Sequence, residues 1–278
     1  MHDSDPGPTA DAGYEDIIYE VEDRTAVITL NRPERLNALS PLTVRELRAA
    51  YAAAEADDRV WTILVTGVGR AFCTGADVGE IPEDGRVVYD EPYLSTYAQW
   101  EAPQEGTPPF RTMTKPVITA VNGLCCGAGL DWVTTGDITI ASDRAEFFDP
   151  HVSIGLVSGR EMVRLARVLP TGIAMRIALT GRHERMSAQR AYDLGLVSEV
   201  VEHDQLLQRA KEIAALVNRN APLAVRGTRL AIRKGLDLPL HEAEILAEAF
   251  RERVVRTDDA KEGPAAFMEK RTPDWTAS

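Results

Sequence analysis

Cysteine is scarce in this chain. Cys73, Cys125 and Cys126 are the only three in 278 residues, an odd number too small for a disulfide framework. Two of them are adjacent, so they neither pair readily with each other nor share a tetrahedral metal. All three are expected to be reduced, buried, small residues. Long apolar runs are missing too: no stretch approaches the roughly 18 uninterrupted apolar residues of a membrane-crossing helix. The opening segment MHDSDPGPTADAG is acidic and carries prolines where a signal peptide is basic and then apolar. A soluble, cytoplasmic protein with no membrane partner is expected. Positive charge is also in short supply. With 31 Lys and Arg against 43 Asp and Glu, the formal charge is −12, and no basic run offers the field that a nucleic-acid surface needs. Small molecules or other protein chains are the expected partners.

What is present is 44% hydrophobic residues, enough for a sizeable core. After a flexible leader over 1–13, the runs IIYEV and AVITL flank the charged turn EDR and predict a β-hairpin. Ser40-Pro41 offers a helix cap and first position. Val44, Leu47, Tyr51 and Ala54 follow at helical spacing. WTILVTG, KPVITAVNG and DITIAS are strand-like, with a helix opening near Gly129, so the pattern is α/β built from repeated short units. From Thr171 onward nearly every segment has helical spacing. Ser187, Asp204 and Pro222 are candidate helix starts. No Pro- or Gly-rich linker intervenes, so one continuous fold is expected, with a core over 14–200 and a helical region over 201–278. The stretch from Glu80 to Pro109 lacks any period and reads as a binding loop or lid; Tyr93, Tyr97 and Trp100 are candidates to line a pocket there.

Two glycine turns carry the chemical signal. In AFCTGADVGE and in GLCCGAGLDW a glycine follows a strand directly. Such a turn, with φ above zero, frees the next backbone N–H groups to point at a ligand. The second turn also opens a helix, whose first N–H groups have no helical partner. Together the turns could place two donors on one oxygen. Either could also be merely structural. A dinucleotide loop is disfavoured because GAGLDW lacks the third glycine of that fingerprint. No His, Cys and carboxylate set has metal-ligand spacing, and no nucleophile elbow lies near His151.

NRPERLNALS, AFCTGADV, KPVITAVNGLCCGAGLD, ALTGRHERMSAQRAYDLGLVSEVV and EGPAAFMEKR, in this order, resemble the enoyl-CoA hydratase/isomerase family, also called the crotonase family. The likeness runs from about Ile17 to Trp275. It implies an α/β crotonase-like spiral of repeated ββα units with a helical C-terminal extension, assembled as a homotrimer or dimer of trimers. It implies an acyl-CoA thioester as substrate, with coenzyme A entering as part of that substrate and no separate cofactor. By this resemblance the N–H groups of Ala76 and Ala128 form an oxyanion hole. Arg35, Ala76, Asp77, Val78, Gly79, Gly127 and Lys270 are expected to bind CoA or substrate, with Arg32 and Phe267 nearby.

In family hydratases two glutamates flank the substrate. Here Asp131 and His151 occupy those positions, and they are the expected catalytic pair. Aspartate is one methylene shorter, about 1.5 Å, and histidine offers one acceptor nitrogen in place of two oxygens. The pair can still hold a water or move a proton. The downstream segment SGREMVRL replaces a small, glycine-rich one; there Glu161 is either a third participant or a surface residue at a helix start. Reversible hydration of an α,β-unsaturated acyl-CoA is the leading expectation, ahead of double-bond isomerisation and of hydrolysis or C–C cleavage. A non-catalytic binding or scaffold protein is the reading from another class.

Overall fold

The computed structural model describes residues 13–77, 79 and 113–278. The two β-rich runs at the start form the expected hairpin, β1 (Ile17–Glu22) and β2 (Thr25–Leu30), paired antiparallel. Its tight turn places Asp23 and Arg24 at positive φ. Helix α1 (Pro41–Ala56) begins at a capping box, in which the Ser40 hydroxyl accepts from the Thr43 N–H and the Thr43 hydroxyl accepts from the Ser40 N–H. Two orphan donors of the first turn are thereby satisfied. At its other end Lys115, fully buried, donates from Nζ to the carbonyls of Ala54 and Asp57 at 2.7 Å each. Burial lowers the Lys115 pKa to about 8.

Strands β3 (Thr62–Gly67), β5 (Val117–Val121) and β7 (Ile138–Ser142) continue the first sheet, which ends at β10 (Glu199–Val201) in the order β1-β2-β3-β5-β7-β10. Every pairing after the hairpin is parallel. A second sheet runs β4 (Ala71–Cys73), β6 (Leu124–Cys126), β8 (Glu146–Phe148), β9 (Met186–Ser187). The two orders advance in lockstep. Each step along the chain lays one strand in the first sheet and the next strand in the second, giving the pairs β3-β4, β5-β6 and β7-β8. This is the ββ spiral, with helix α2 (Gly129–Thr135) returning the chain between the second and third pairs. Side chains between the sheets and α1 form the main core, including Ile28, Tyr51, Val65, Phe72 and Trp132.

The helices α3 (Arg160–Val168), α4 (Thr171–Thr180), α5 (Ala188–Asp193), α6 (Leu206–Asn218), α7 (Pro222–Gly235), α8 (Leu240–Val254) and α9 (Asp259–Glu269) follow. Two expectations change here. The region after Thr171 is not wholly helical, because β9 and β10 interrupt it; the β-branched pattern of SEVV pairs with β7 at the sheet edge. Asp204 does not cap α6 with its side chain, since a short 3-10 turn over His203–Gln205 precedes the helix. Ser187 does cap α5 and Pro222 does open α7. Helix α6 lays Leu206, Ala210 and Ala214 on Val27, Leu64, Ile118 and Ile140 of the first sheet, forming a second core. The three cysteines are free and buried, as expected.

The α7-α8 hairpin is fastened to this core electrostatically. Asp137, just before β7, accepts from Arg229 Nε at 2.6 Å, from Arg233 Nε at 2.9 Å and from the Val117 N–H at 2.8 Å. Arg229 is buried and also donates to the Met113 carbonyl. Removing one partner of a buried pair strands the other charge, typically at about 3–5 kcal/mol. Asp137→Ala should lose stability of that order in urea denaturation, with amide exchange rising first in α7.

Candidate functional site

The site is built at the carboxyl ends of three neighbouring strands. β4, β6 and β8 are parallel, with β6 in the middle. Cys73 lies opposite Cys125 and Cys126 opposite Phe148, so continuing the register brings Gly75 beside Gly127 and Gly127 beside Asp149. Ligand sites in α/β sheets form in this place, where loops diverge beyond the carboxyl ends of parallel strands.

Both glycine turns have the backbone that frees N–H groups. Gly75 has φ of +87° and Gly127 of +54°. A Cβ added at Gly75 would lie 3.3 Å from the Ala128 nitrogen and 3.5 Å from the Gly127 Cα, so the turns touch. Leu39 donates to the Gly75 carbonyl at 2.8 Å and accepts from the Asp77 N–H at 3.0 Å. This short parallel bridge turns the Ala76 N–H to the opposite side. Ala128 follows a left-handed glycine with right-handed values, φ −58° and ψ −19°, the alternation that makes a concave nest of N–H groups. Among the described residues neither the Ala76 nor the Ala128 N–H donates a hydrogen bond to the backbone outside regular elements. Gly129 is required for another reason: a Cβ there would sit 2.4 Å from the Cys73 carbonyl oxygen, so only glycine lets α2 start this close to β4.

Helix α2 presents Asp131 in its first turn and Trp132 beside it. Trp132 is locked into the core: its Nε1–H donates to the Tyr51 hydroxyl at 2.8 Å, and its ring meets Phe72 edge to face. That fixes the rotation of the helix. Asp131 is 0% exposed. Its Oδ1 accepts from Arg164 Nη1 at 2.6 Å, and its Oδ2 lies 3.6 Å from Arg160 Nη2. Oδ2 makes no hydrogen bond among the described residues. Burial raises the Asp131 pKa, partly offset by the two guanidinium groups. Arg160 and Arg164 are four apart on α3 and so share a face.

His151 follows β8. Its Nδ1 lies 2.6 Å from Asp149 Oδ1, which also accepts from the His151 backbone N–H at 2.9 Å. The Ser158 hydroxyl donates to Asp149 Oδ2. The His151 Cε1 lies 3.7 Å from the position a Cβ would take on Gly127, so the ring borders the second glycine turn. The hydrogen bond to Asp149 raises the His151 pKa above its ordinary 6.5, against the opposing effect of burial. Burial pushes Asp149 up, but hydrogen bonds from the His151 ring, the Ser158 hydroxyl and the His151 N–H outweigh it and leave its pKa below the ordinary value.

Ala76, Ala128, Gly127, Asp131 and His151 are thus brought together. Glu161 is buried at 8% exposed, not on the surface, and its charge acts on both Asp131 and His151. Arg160 approaches its carboxylate at 3.9 Å. The Asp77 carboxylate is turned inward, accepting from Arg32 at 3.1 Å and from the Gly79 N–H at 3.1 Å. Arg32 also approaches Asp16 and donates to the Ala38 carbonyl, so it braces this turn. Arg35 is exposed on a 3-10 turn next to Leu36, whose carbonyl accepts from the Thr74 hydroxyl. Lys270 is exposed at the left-handed end of α9, close in sequence to Phe267, which is 82% exposed. No hydrogen bond or ion pair among the described residues joins Lys270 to the glycine turns. Val78, Tyr93, Tyr97 and Trp100, with all of 80–112, lie outside the described residues.

Sequence reasoning missed Asp149, Ser158 and Arg164. The Asp-Pro-His order hinted at the first, since an aspartate before a turn commonly accepts from the N–H two residues on. The i, i+4 spacing of Arg160 and Arg164 hinted at a shared partner, though not which one. Among the described residues no group of three or more His, Cys, Asp or Glu could hold a metal ion, and no helix is long and apolar enough to cross a membrane.

The spiral of paired strands thus carries two amide-rich turns beside an ionisable pair. The model of the enoyl-CoA hydratase/isomerase family matches residues 20–278. A crystal structure of an enoyl-CoA hydratase/isomerase from Mycobacterium paratuberculosis is similar to this chain at 74% identity and a TM-score of 0.91, covering 95% of this chain and 100% of that one. Among curated relatives, the mevalonyl-coenzyme A hydratase of Aspergillus fumigatus is 36% identical over 256 residues, covering 91% of each chain. The short-chain-enoyl-CoA hydratase of Clostridium acetobutylicum is 36% identical over 261 residues, covering 92% of this chain and 95% of that one. The chain belongs to the enoyl-CoA hydratase/isomerase, or crotonase, family. It is an acyl-CoA thioester enzyme of the hydratase/isomerase type.

Contact between the two turns makes Gly75 a sensitive position. Gly75→Ala would force an L side chain to φ +87° and press its methyl toward the Ala128 nitrogen, at a backbone cost of about 1–3 kcal/mol. Thermal melting should fall modestly, while turnover of an acyl-CoA should fall much further, because the methyl displaces the donors themselves.

Proposed function

We propose that the enzyme catalyses reversible addition of water to an α,β-unsaturated acyl-CoA. The observation carrying this reading is the convergence of Gly75, Gly127 and the His151 ring at the ends of β4, β6 and β8. In the proposed complex the thioester oxygen takes the Ala76 and Ala128 N–H groups. These donors stabilise the enolate, and removal of one comparable donor elsewhere costs about 3–4 kcal/mol of barrier. Water adds its oxygen to the β-carbon and the α-carbon gains a proton, with Asp131 and His151 holding the water and moving the protons. Asp131 Oδ2, with no hydrogen bond among the described residues, is the oxygen assigned to this work, while Arg164 fixes Oδ1. Glu161 is assigned an electrostatic part.

Ala76, Asp77, Val78, Gly79, Gly127 and Arg35 are assigned to CoA, Asp77 through its backbone, given the inward turn of its carboxylate. Lys270 and Phe267 are assigned to the CoA of a neighbouring subunit in a homotrimer or dimer of trimers, in a cytoplasmic setting. Apolar exposure on the C-terminal helices supports assembly: Ile232, Leu236, Leu240, Ile245 and Phe267 are all exposed. Isomerisation is the second reading, supported by the arginine contacts on Asp131, which suit a site where His151 alone carries the proton between carbons.

Asp131→Asn and His151→Ala should each lower turnover by about 100-fold or more, with smaller effects on affinity. The product should be one water heavier than the substrate by mass spectrometry. An unchanged mass with a moved double bond would favour isomerisation, and single variants with wild-type turnover would remove both residues from the mechanism. Because the imidazole must be neutral to accept a proton and its pKa is raised, kcat/KM should rise with pH through a limb above 6.5. Light scattering should give a multiple of three chains; an active monomer would refute the assembly.

A further inference from the structure

Asp149 is not one of the two residues that flank the substrate in the proposed reaction, yet it is fully buried and carries three hydrogen bonds. Two of them engage one oxygen, from the His151 backbone N–H and its Nδ1; the third brings the Ser158 hydroxyl to the other. An ionised carboxylate can only accept. The hydroxyl and the backbone N–H both donate to it, so Asp149 is held as the anion, and the Nδ1 contact at 2.6 Å then requires the proton on Nδ1. In the neutral ring, Nε2 is left as the acceptor. Among the described residues Nε2 makes no hydrogen bond, and the Cε1 that joins the two nitrogens borders Gly127.

We propose that Asp149 is a positioning residue that fixes the tautomer and orientation of His151, with Ser158 holding Asp149 in turn, so that Nε2 is the atom exchanging a proton with the acyl chain. This deepens the proposed function and rests on its use of His151. The proton balance is simple. Neutral His151 takes at Nε2 a proton from the water whose oxygen bonds to the β-carbon and becomes an imidazolium, which then gives that proton to the α-carbon. Nδ1–H stays bonded to Asp149 throughout, and the carboxylate offsets the transient charge without being protonated. Ser158 and His151 both bond to Asp149 and not to each other, so the set is a base with its support rather than a serine nucleophile with its base.

Other charges also face the ring. They come from Glu161 on α3 and Asp131 on α2; Arg160 approaches both carboxylates, and Arg164 is bonded to Asp131. Glu161 and Asp131 push the histidine pKa upward as Asp149 does. Among the described residues only Asp149 is hydrogen-bonded to the ring, and it selects the tautomer.

The test uses the intact enzyme with 15N-labelled histidine, of which the chain has five, and assigns His151 by its loss in His151→Gln. In the wild type the neutral ring should show a protonated Nδ1 and a bare Nε2; a predominant Nε2–H form would overturn the proposal without any variant at Asp149. In Asp149→Asn the His151 titration should move to lower pH by about one pH unit or more, and the acid limb of kcat/KM should move with it. Turnover should fall by at least about 100-fold, while coenzyme A affinity is kept. Unaltered titration and tautomer in a folded Asp149→Asn protein would refute the positioning role. If His151→Ala and Asp149→Asn both keep wild-type turnover, the reading of His151 as a base fails first, and the NMR result distinguishes that from a wrong assignment of Asp149.

Discussion

The parallel pairing of β4, β6 and β8 is the constraint on which the site depends. These strands are only three residues each, too short to be stable alone. They hold register because each is the second member of a ββ step whose first member lies in the larger sheet. That sheet has buried, β-branched strands and is packed by α1 on one side and α6 on the other. The register carries Gly75 to Gly127 and Gly127 to Asp149, so elements 52 and 22 residues apart in the chain are neighbours at one sheet end. A slip along β6 would separate the turns.

Close approach is the second physical theme. Gly75, Gly127 and Gly129 are glycines because backbones meet there, and the 2.4 Å between a hypothetical Gly129 Cβ and the Cys73 oxygen measures how tightly. Small, buried cysteines flank the same turns, and burial raises the pKa of each thiol well above its ordinary value. They pack as small apolar groups. The twin cysteines of GLCCGAGLDW therefore belong to the β6 core and the glycines to its open end.

Electrostatics inside the site is more balanced than the chain's strongly acidic composition suggests. Asp131 and Glu161 are buried carboxylates, with Arg164 bonded to Asp131 and Arg160 near both. Unpaired, such charges would be driven to neutralise. The guanidinium groups oppose the effect of burial on Asp131 and hold it in place. Asp149 shows the opposite outcome from the same burial, because three donors outweigh desolvation. Three acidic residues within one small region thus have three different environments, set by the donors around each.

From the sequence alone came the hairpin, the capped α1, the α/β alternation and the two glycine turns, because each is encoded locally by periodicity, by caps or by glycine after a strand. The pair Asp131 and His151 came from the family resemblance, which also added the spiral and the thioester. Local signals could not show that β9 and β10 join the sheets within a helical region, since two- and three-residue strands exist only through pairing with β8 and β7. Nor could they place Arg164 on Asp131, which are 33 residues apart, bury Glu161, or assign Asp149 and Ser158 to one hydrogen-bonded set. Spacing reports which face of an element a residue occupies. What that face meets is decided by long-range packing, and so the residue types near the glycine turns were legible in the chain while their hydrogen-bond partners and orientation were fixed only by the tertiary structure.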